Sequence, residues 1–158
     1  TREEFEGMMV ENSDEPYALE ISRVVMSHLR KGKPVETTKD LYNCIEEALS
    51  FIPEKERKEA VKKSCQRTFQ ALRIDVNSEF EVLDRFLESL PDVLVSGGRV
   101  AILTFHSGED RLVKKSFKKF LKQGVYSEVA QDVIRPSAKE CAENPRAKST
   151  KMRWAVKA

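Results

Sequence analysis

Apolar positions recur along the first third of the chain with the period of amphipathic helices. From Tyr17 they fall at Ile21, Val24, Val25, His28 and Leu29, and the run stops at Lys31-Gly32-Lys33-Pro34, with cations in the last turn and Gly and Pro beyond. A second helix is predicted from Thr37 or Thr38 through Leu41, Ile45, Ala48 and Leu49. A third should start at Pro53, which suits a first helical turn, and run to about Cys65. After Gln66 the pattern changes. Asn77 or Ser78 is placed to cap a helix, with Glu81 completing an S-x-x-E box, and Phe80, Leu83, Phe86, Leu87, Leu90 and Leu94 then form one stripe ending at Gly97-Gly98. Arg99 to Phe105 is β-prone without alternation, which predicts a strand buried on both faces of a parallel sheet.

These elements predict a helix-rich α/β protein with a helical part at 1–65 and an α/β part at 66–158. Only two further strands suggest themselves, Val129–Ile134 and Met152–Val156, an antiparallel terminal pair. A parallel sheet needs more strands than that, so the chain is expected to complete its sheet with a further segment or a partner.

The helix after the strand is the most informative. At 100° intervals from Leu112, the residues Leu112, Val113, Phe117, Phe120 and Leu121 share one side, while Arg111, Lys114, Lys115, Lys118, Lys119 and Lys122 share the other. A face of one sign forgoes i,i+4 pairing, which points to phosphate or to plain solvation.

Charge along the chain strengthens the first reading. Residues 1–56 carry 7 Lys+Arg against 13 Asp+Glu, a balance of −6, whereas residues 111–158 carry 13 against 4, a balance of +9. Arg135, Arg146, Lys148, Lys151 and Arg153 add donors in the tail. At 40% apolar and 34% charged residues the composition is globular, and no stretch is long enough to span a membrane. Three cysteines without C-x-x-C spacing argue for reduced thiols inside a cell and against a zinc site.

His106-Ser107-Gly108-Glu109-Asp110 lies where strand passes into helix, the position at which open α/β sheets place ligands. Ser107 with Asp110 reads as a helix cap; His106, which no capping rule requires, is equally open to a chemical role and to packing.

Arg67-Thr68-Phe69-Gln70-Ala71-Leu72-Arg73, Phe105-His106-Ser107-Gly108-Glu109-Asp110-Arg111, Arg135-Pro136-Ser137 and Asn144-Pro145-Arg146-Ala147-Lys148-Ser149 resemble, in that order, the carboxy-terminal half of the MraW/RsmH family. Gly108 stands where that family usually has Leu. The resemblance implies a parent enzyme that transfers methyl from S-adenosylmethionine to N4 of a cytosine in small-subunit ribosomal RNA. It implies a helical insert followed by the carboxy-terminal part of a Rossmann-like class I methyltransferase sheet. The family's cofactor motifs belong to its amino-terminal half, so that half is an expected partner beside the RNA. His106 becomes the catalytic candidate. Arg67, Gln70 and Arg73 become RNA-facing or interdomain candidates, alongside the basic residues of the helix and tail. A non-catalytic RNA- or ribosome-binding module without the cofactor half is the alternative. Bacterial cytoplasm, plastid and mitochondrion all fit, and the oligomeric state, a homodimer included, stays open.

Overall fold

The computed structural model describes residues 1–158. They form two compact units, Thr1–Ser78 and Glu79–Ala158.

The first unit is four helices, α1 (Arg2–Ser13), α2 (Ala18–Arg30), α3 (Thr38–Ala48) and α4 (Glu54–Asn77). The helix predicted from Thr37 or Thr38 begins at Thr38, with Thr37 capping α3 through a reciprocal box with Asp40. The third predicted helix does not end near Cys65: α4 runs 24 residues because Val61, Ser64, Cys65, Thr68, Ala71 and Ile74 keep one buried stripe in phase through the change of sequence style. The compact units accordingly divide at Ser78 rather than after residue 65. Met9, Ile21, Ile45 and Leu49, all fully buried, centre a core drawn from all four helices and the turn after α3. Ser78 is no N-cap. It takes a left-handed conformation (φ 50°) as the C-cap of α4, its N–H donating to Asp75 and Ile74 carbonyls.

The second unit runs α5 (Glu79–Val93), β1 (Arg99–Thr104), α6 (Ser107–Lys122), β2 (Tyr126–Val129), α7 (Ala138–Glu143), a 3-10 turn (Pro145–Ser149) and β3 (Lys151–Lys157). Gly97, at φ 75°, makes the turn into β1 that a side chain would strain. The sheet is antiparallel throughout, in the order β1-β3-β2, with Ala101 opposite Trp154. Pairing of the two terminal strands is therefore antiparallel as expected, although β2 starts earlier, at Tyr126, and Ile134 only bridges to Met152.

Strand β1 departs from its expectation of burial on both faces of a parallel sheet. It pairs with β3 alone, and its exposure alternates. Val100 and Ile102 pack with Leu87, Leu90, Val113, Phe117 and Phe120 of the covering helices. Ala101 and Leu103 lie on the uncovered face, Leu103 at 58% exposure. Apolar residues on both sides of a strand covered on one side account for the missing alternation.

Candidate functional site

The turn from β1 into α6 brings the most chemistry together. His106, in extended conformation, is the N-cap of α6: its Nδ1 accepts from the Glu109 amide at 3.4 Å, while Glu109 Oε2 accepts from the Phe105 amide at 2.9 Å. This corrects the expectation that Ser107 would cap the helix. Ser107 is the first helical residue, and the imidazole supplies the acceptor that a hydroxyl would otherwise provide. An accepting Nδ1 places the neutral ring's proton on Nε2, which lies 3.5 Å from Glu109 Oε1. The ring also tilts against Phe80, centroids 5.9 Å apart. Gly108 explains itself here: a Cβ would stand 2.5 Å from Phe80 Cζ, so a larger residue requires that ring to turn away.

Asp110 neither caps the helix nor stands open to a ligand. Its carboxylate accepts from Arg153 Nε at 2.8 Å and from an Arg153 terminal nitrogen at 3.3 Å, with Lys151 Nζ at 3.8 Å. Burial alone would raise the Asp110 carboxyl; the hydrogen bond and charge of Arg153, with Lys151 and Lys114, outweigh it and hold the group below its ordinary value. Arg153 is 8% exposed. Its expected role as a phosphate contact is therefore corrected: the guanidinium is spent tying β3 to α6. Lys151 belongs to the same cluster and is largely covered. Sequence reasoning missed this pair because its members stand 43 positions apart.

On α6 the predicted faces are right. Val113, Phe117 and Phe120 are buried, and Arg111, Lys114, Lys115, Lys118, Lys119 and Lys122 are exposed. The face is less uniform than its own residues suggest, because Lys119 bridges both oxygens of Glu88 at 2.8 Å and sits 5.0 Å from the Phe120 ring centroid. Arg135, Arg146 and Lys148 are exposed, on the segments around α7 and the 3-10 turn.

The remaining candidates belong to the helical unit. Arg67 lies 3.9 Å from Glu15, a buried carboxylate that accepts from Ser64 Oγ at 2.8 Å and from the Tyr17 amide at 3.1 Å. Gln70 is half-buried and Arg73 exposed. No cluster of His, Cys, Asp and Glu could hold a metal ion, and no helix is long and apolar enough to cross a membrane. All three cysteines are free thiols, Cys44 and Cys65 buried.

The sequence profile of the MraW methylase family matches residues 1–158. The chain is 65% identical over 155 residues to ribosomal RNA small subunit methyltransferase H 1 of Lachnoclostridium phytofermentans, covering 98% of this chain and 42% of that protein. It is 61% identical over 158 residues to the protein of the same name from Agathobacter rectalis, covering 100% and 45%. Against ribosomal RNA small subunit methyltransferase H 2 of Alkaliphilus metalliredigens it is 58% identical over 158 residues, again 100% and 45%. The chain thus spans less than half the length of these relatives.

Proposed function

The chain belongs to the MraW methylase family, and from that premise we propose that it is part of an S-adenosylmethionine-dependent enzyme that methylates N4 of a cytosine in small-subunit ribosomal RNA. The observation that carries this is the family match along the whole chain at up to 65% identity to proteins named as ribosomal RNA methyltransferases. The helical unit acts as the substrate-recognition insert. The sheet unit forms the carboxy-terminal part of a Rossmann-like class I sheet. Two features support the second assignment: the outer edge of β1 is unpaired, and Leu103 and Phe105 are 58% and 56% exposed beside it. The rest of the protein pairs with that edge.

The residues present here do not fit the methyl donor. The β1–α6 turn is filled by Phe80 over Gly108, and His106, Glu109, Asp110 and Arg153 are engaged with one another. The donor is held elsewhere in the full-length protein, and the isolated chain binds it weakly; calorimetry finding low-micromolar affinity for this chain alone would overturn that part.

What this chain contributes is RNA placement. Arg111, Lys114, Lys115, Lys118 and Lys122 on α6, with Arg135, Arg146 and Lys148, face phosphates, and Arg67, Gln70 and Arg73 contribute from α4. His106 serves as a positioning residue that orders the turn at the end of β1. The experiment is RNA binding by the full-length protein against salt: replacing Lys114, Lys115 and Lys118 by Gln lowers the slope of log affinity on log salt by about 2 to 3. An unchanged slope makes this a merely solvated face.

A further inference from the structure

Charge is segregated inside the helical unit. Residues 1–53 carry 6 Lys+Arg against 11 Asp+Glu, a balance of −5, whereas residues 54–77, which make α4, carry 7 against 4, a balance of +3. Placed at 100° per residue, Lys55, Lys58, Lys62, Gln66 and Phe69 fall within about 80° of the helix circumference. With Tyr42 of α3 they line an open groove of about 820 Å³.

Three properties of this groove go together. Its lysines pair with no carboxylate: the acid at its rim, Glu59, is met by Lys63 at 3.5 Å. Lys58 and Lys62, at i and i+4, stand side by side on that face, and Glu59 beside them is drawn to Lys63, which leaves both ammonium groups open to an anion. The rings are accessible, Tyr42 at 42% exposure and Phe69 half-buried, so the groove offers flat apolar faces beside positive charge. Cations tracking a backbone beside rings on which bases stack are what a single-stranded nucleic acid requires, and Gln66 adds an amide able to meet a base edge. A duplex keeps its bases stacked inside and has no use for the rings. An acidic peptide uses the lysines but leaves the rings idle.

We propose that the α3–α4 groove binds a short single-stranded segment of the substrate RNA, Lys58 and Lys62 contacting phosphates and Tyr42 stacking on a base. The proposal deepens the reading of the protein as an RNA methyltransferase and takes its ligand class from that reading. The test is fluorescence anisotropy of labelled single-stranded and duplex RNA with the full-length protein, over a range of salt. K58Q/K62Q should weaken single-strand binding about tenfold and lower the salt slope by about 1.4. Tyr42→Ala should weaken it about tenfold with the slope unchanged, and Tyr42→Phe, which keeps the ring, should restore it. All three side chains are exposed, and unchanged melting temperatures establish that the variants are folded.

Wild-type affinity in every variant overturns the proposal. So does equal loss for duplex and single strand, or a K58Q/K62Q variant that loses only an oligoglutamate peptide, which would make the groove a protein-docking face. Methyl transfer to small ribosomal subunits separates the two levels. A wild-type protein that methylates RNA while the variants bind and turn over normally removes the groove alone; a wild-type protein that transfers no methyl group to RNA removes the broader reading, with groove binding still decided by anisotropy.

Discussion

In the helical unit Glu15 is buried beside a hydroxyl, an amide and a guanidinium 3.9 Å away that is itself 40% exposed; in the sheet unit Asp110 is gripped at 2.8 and 3.3 Å by a guanidinium that is almost fully covered. The first arrangement fastens the α1–α2 turn to α4, and neutral donors share the task. The second fastens α6 to the centre strand of a three-stranded sheet, and one residue carries nearly all of it. Because a buried charge stripped of its partner is far costlier than a buried dipole stripped of one hydrogen bond, the two units should fail differently.

The largest expected effect follows from that. Arg153→Ala leaves Asp110 covered, with only the weaker charges of Lys151 and Lys114 nearby, and should cost about 3–5 kcal/mol in urea unfolding. Glu15→Ala removes the charge itself and should cost only about 1–3 kcal/mol. Equal losses would erase the distinction between the two sites.

The pH dependence sharpens it further. The Asp110 carboxyl sits below its ordinary value of 3.8 when folded, so its contribution is present above that value and is lost as pH falls through the lower folded one. The sheet unit should therefore loosen in acid below about pH 4, and Asp110→Asn should flatten that limb, as followed by hydrogen exchange in β3. The helical unit has the opposite liability. Burial, then the charges of Glu15 and Glu46, push the Cys65 thiol from 9.0 up to about 11. A raised value stabilises below the unfolded one, so this contribution should fade between pH 9 and 11. Cys65→Ala should remove the alkaline loss, and a thiolate absorbance appearing near pH 8.5 would contradict it.

At His106 the two kinds of role separate cleanly. His106→Ala should cost about 1 kcal/mol through the lost cap, and His106→Asn, a good capping residue, should recover most of it. Under the proposed function, a positioning role predicts that Asn also recovers single-turnover methylation by the full-length protein. A rate still about 10²–10⁴-fold down in a stable Asn variant would instead assign His106 proton transfer.

The smallest effect concerns Tyr126, buried edge-on between Phe117 and Phe120 with a hydroxyl that has no hydrogen-bond partner. Tyr126→Phe should leave stability unchanged or raise it by up to about 1 kcal/mol, read as an upward shift in melting temperature.

Local patterns made much of this legible in advance. Thr37 marks the start of α3, Val113, Phe117 and Phe120 mark the buried side of α6, and the polar stretches before Lys151 mark an antiparallel end to the chain. Each depends on residues within one or two turns of one another, where spacing translates directly into shared faces and capped ends. Tertiary structure decided the rest. Whether α4 stops at Cys65 depends on α1 packing along the stripe beyond it, at Thr68 and Ala71; whether Ser107 or His106 caps α6 depends on Phe80 packing against Gly108 and the imidazole. Whether Arg153 meets phosphate or Asp110 depends on strands β1 and β3 pairing across about fifty residues of chain. A cation looks the same in sequence whether it faces water or a carboxylate, and only the closure of long loops, whose entropy the packed sheet offsets, selects between them.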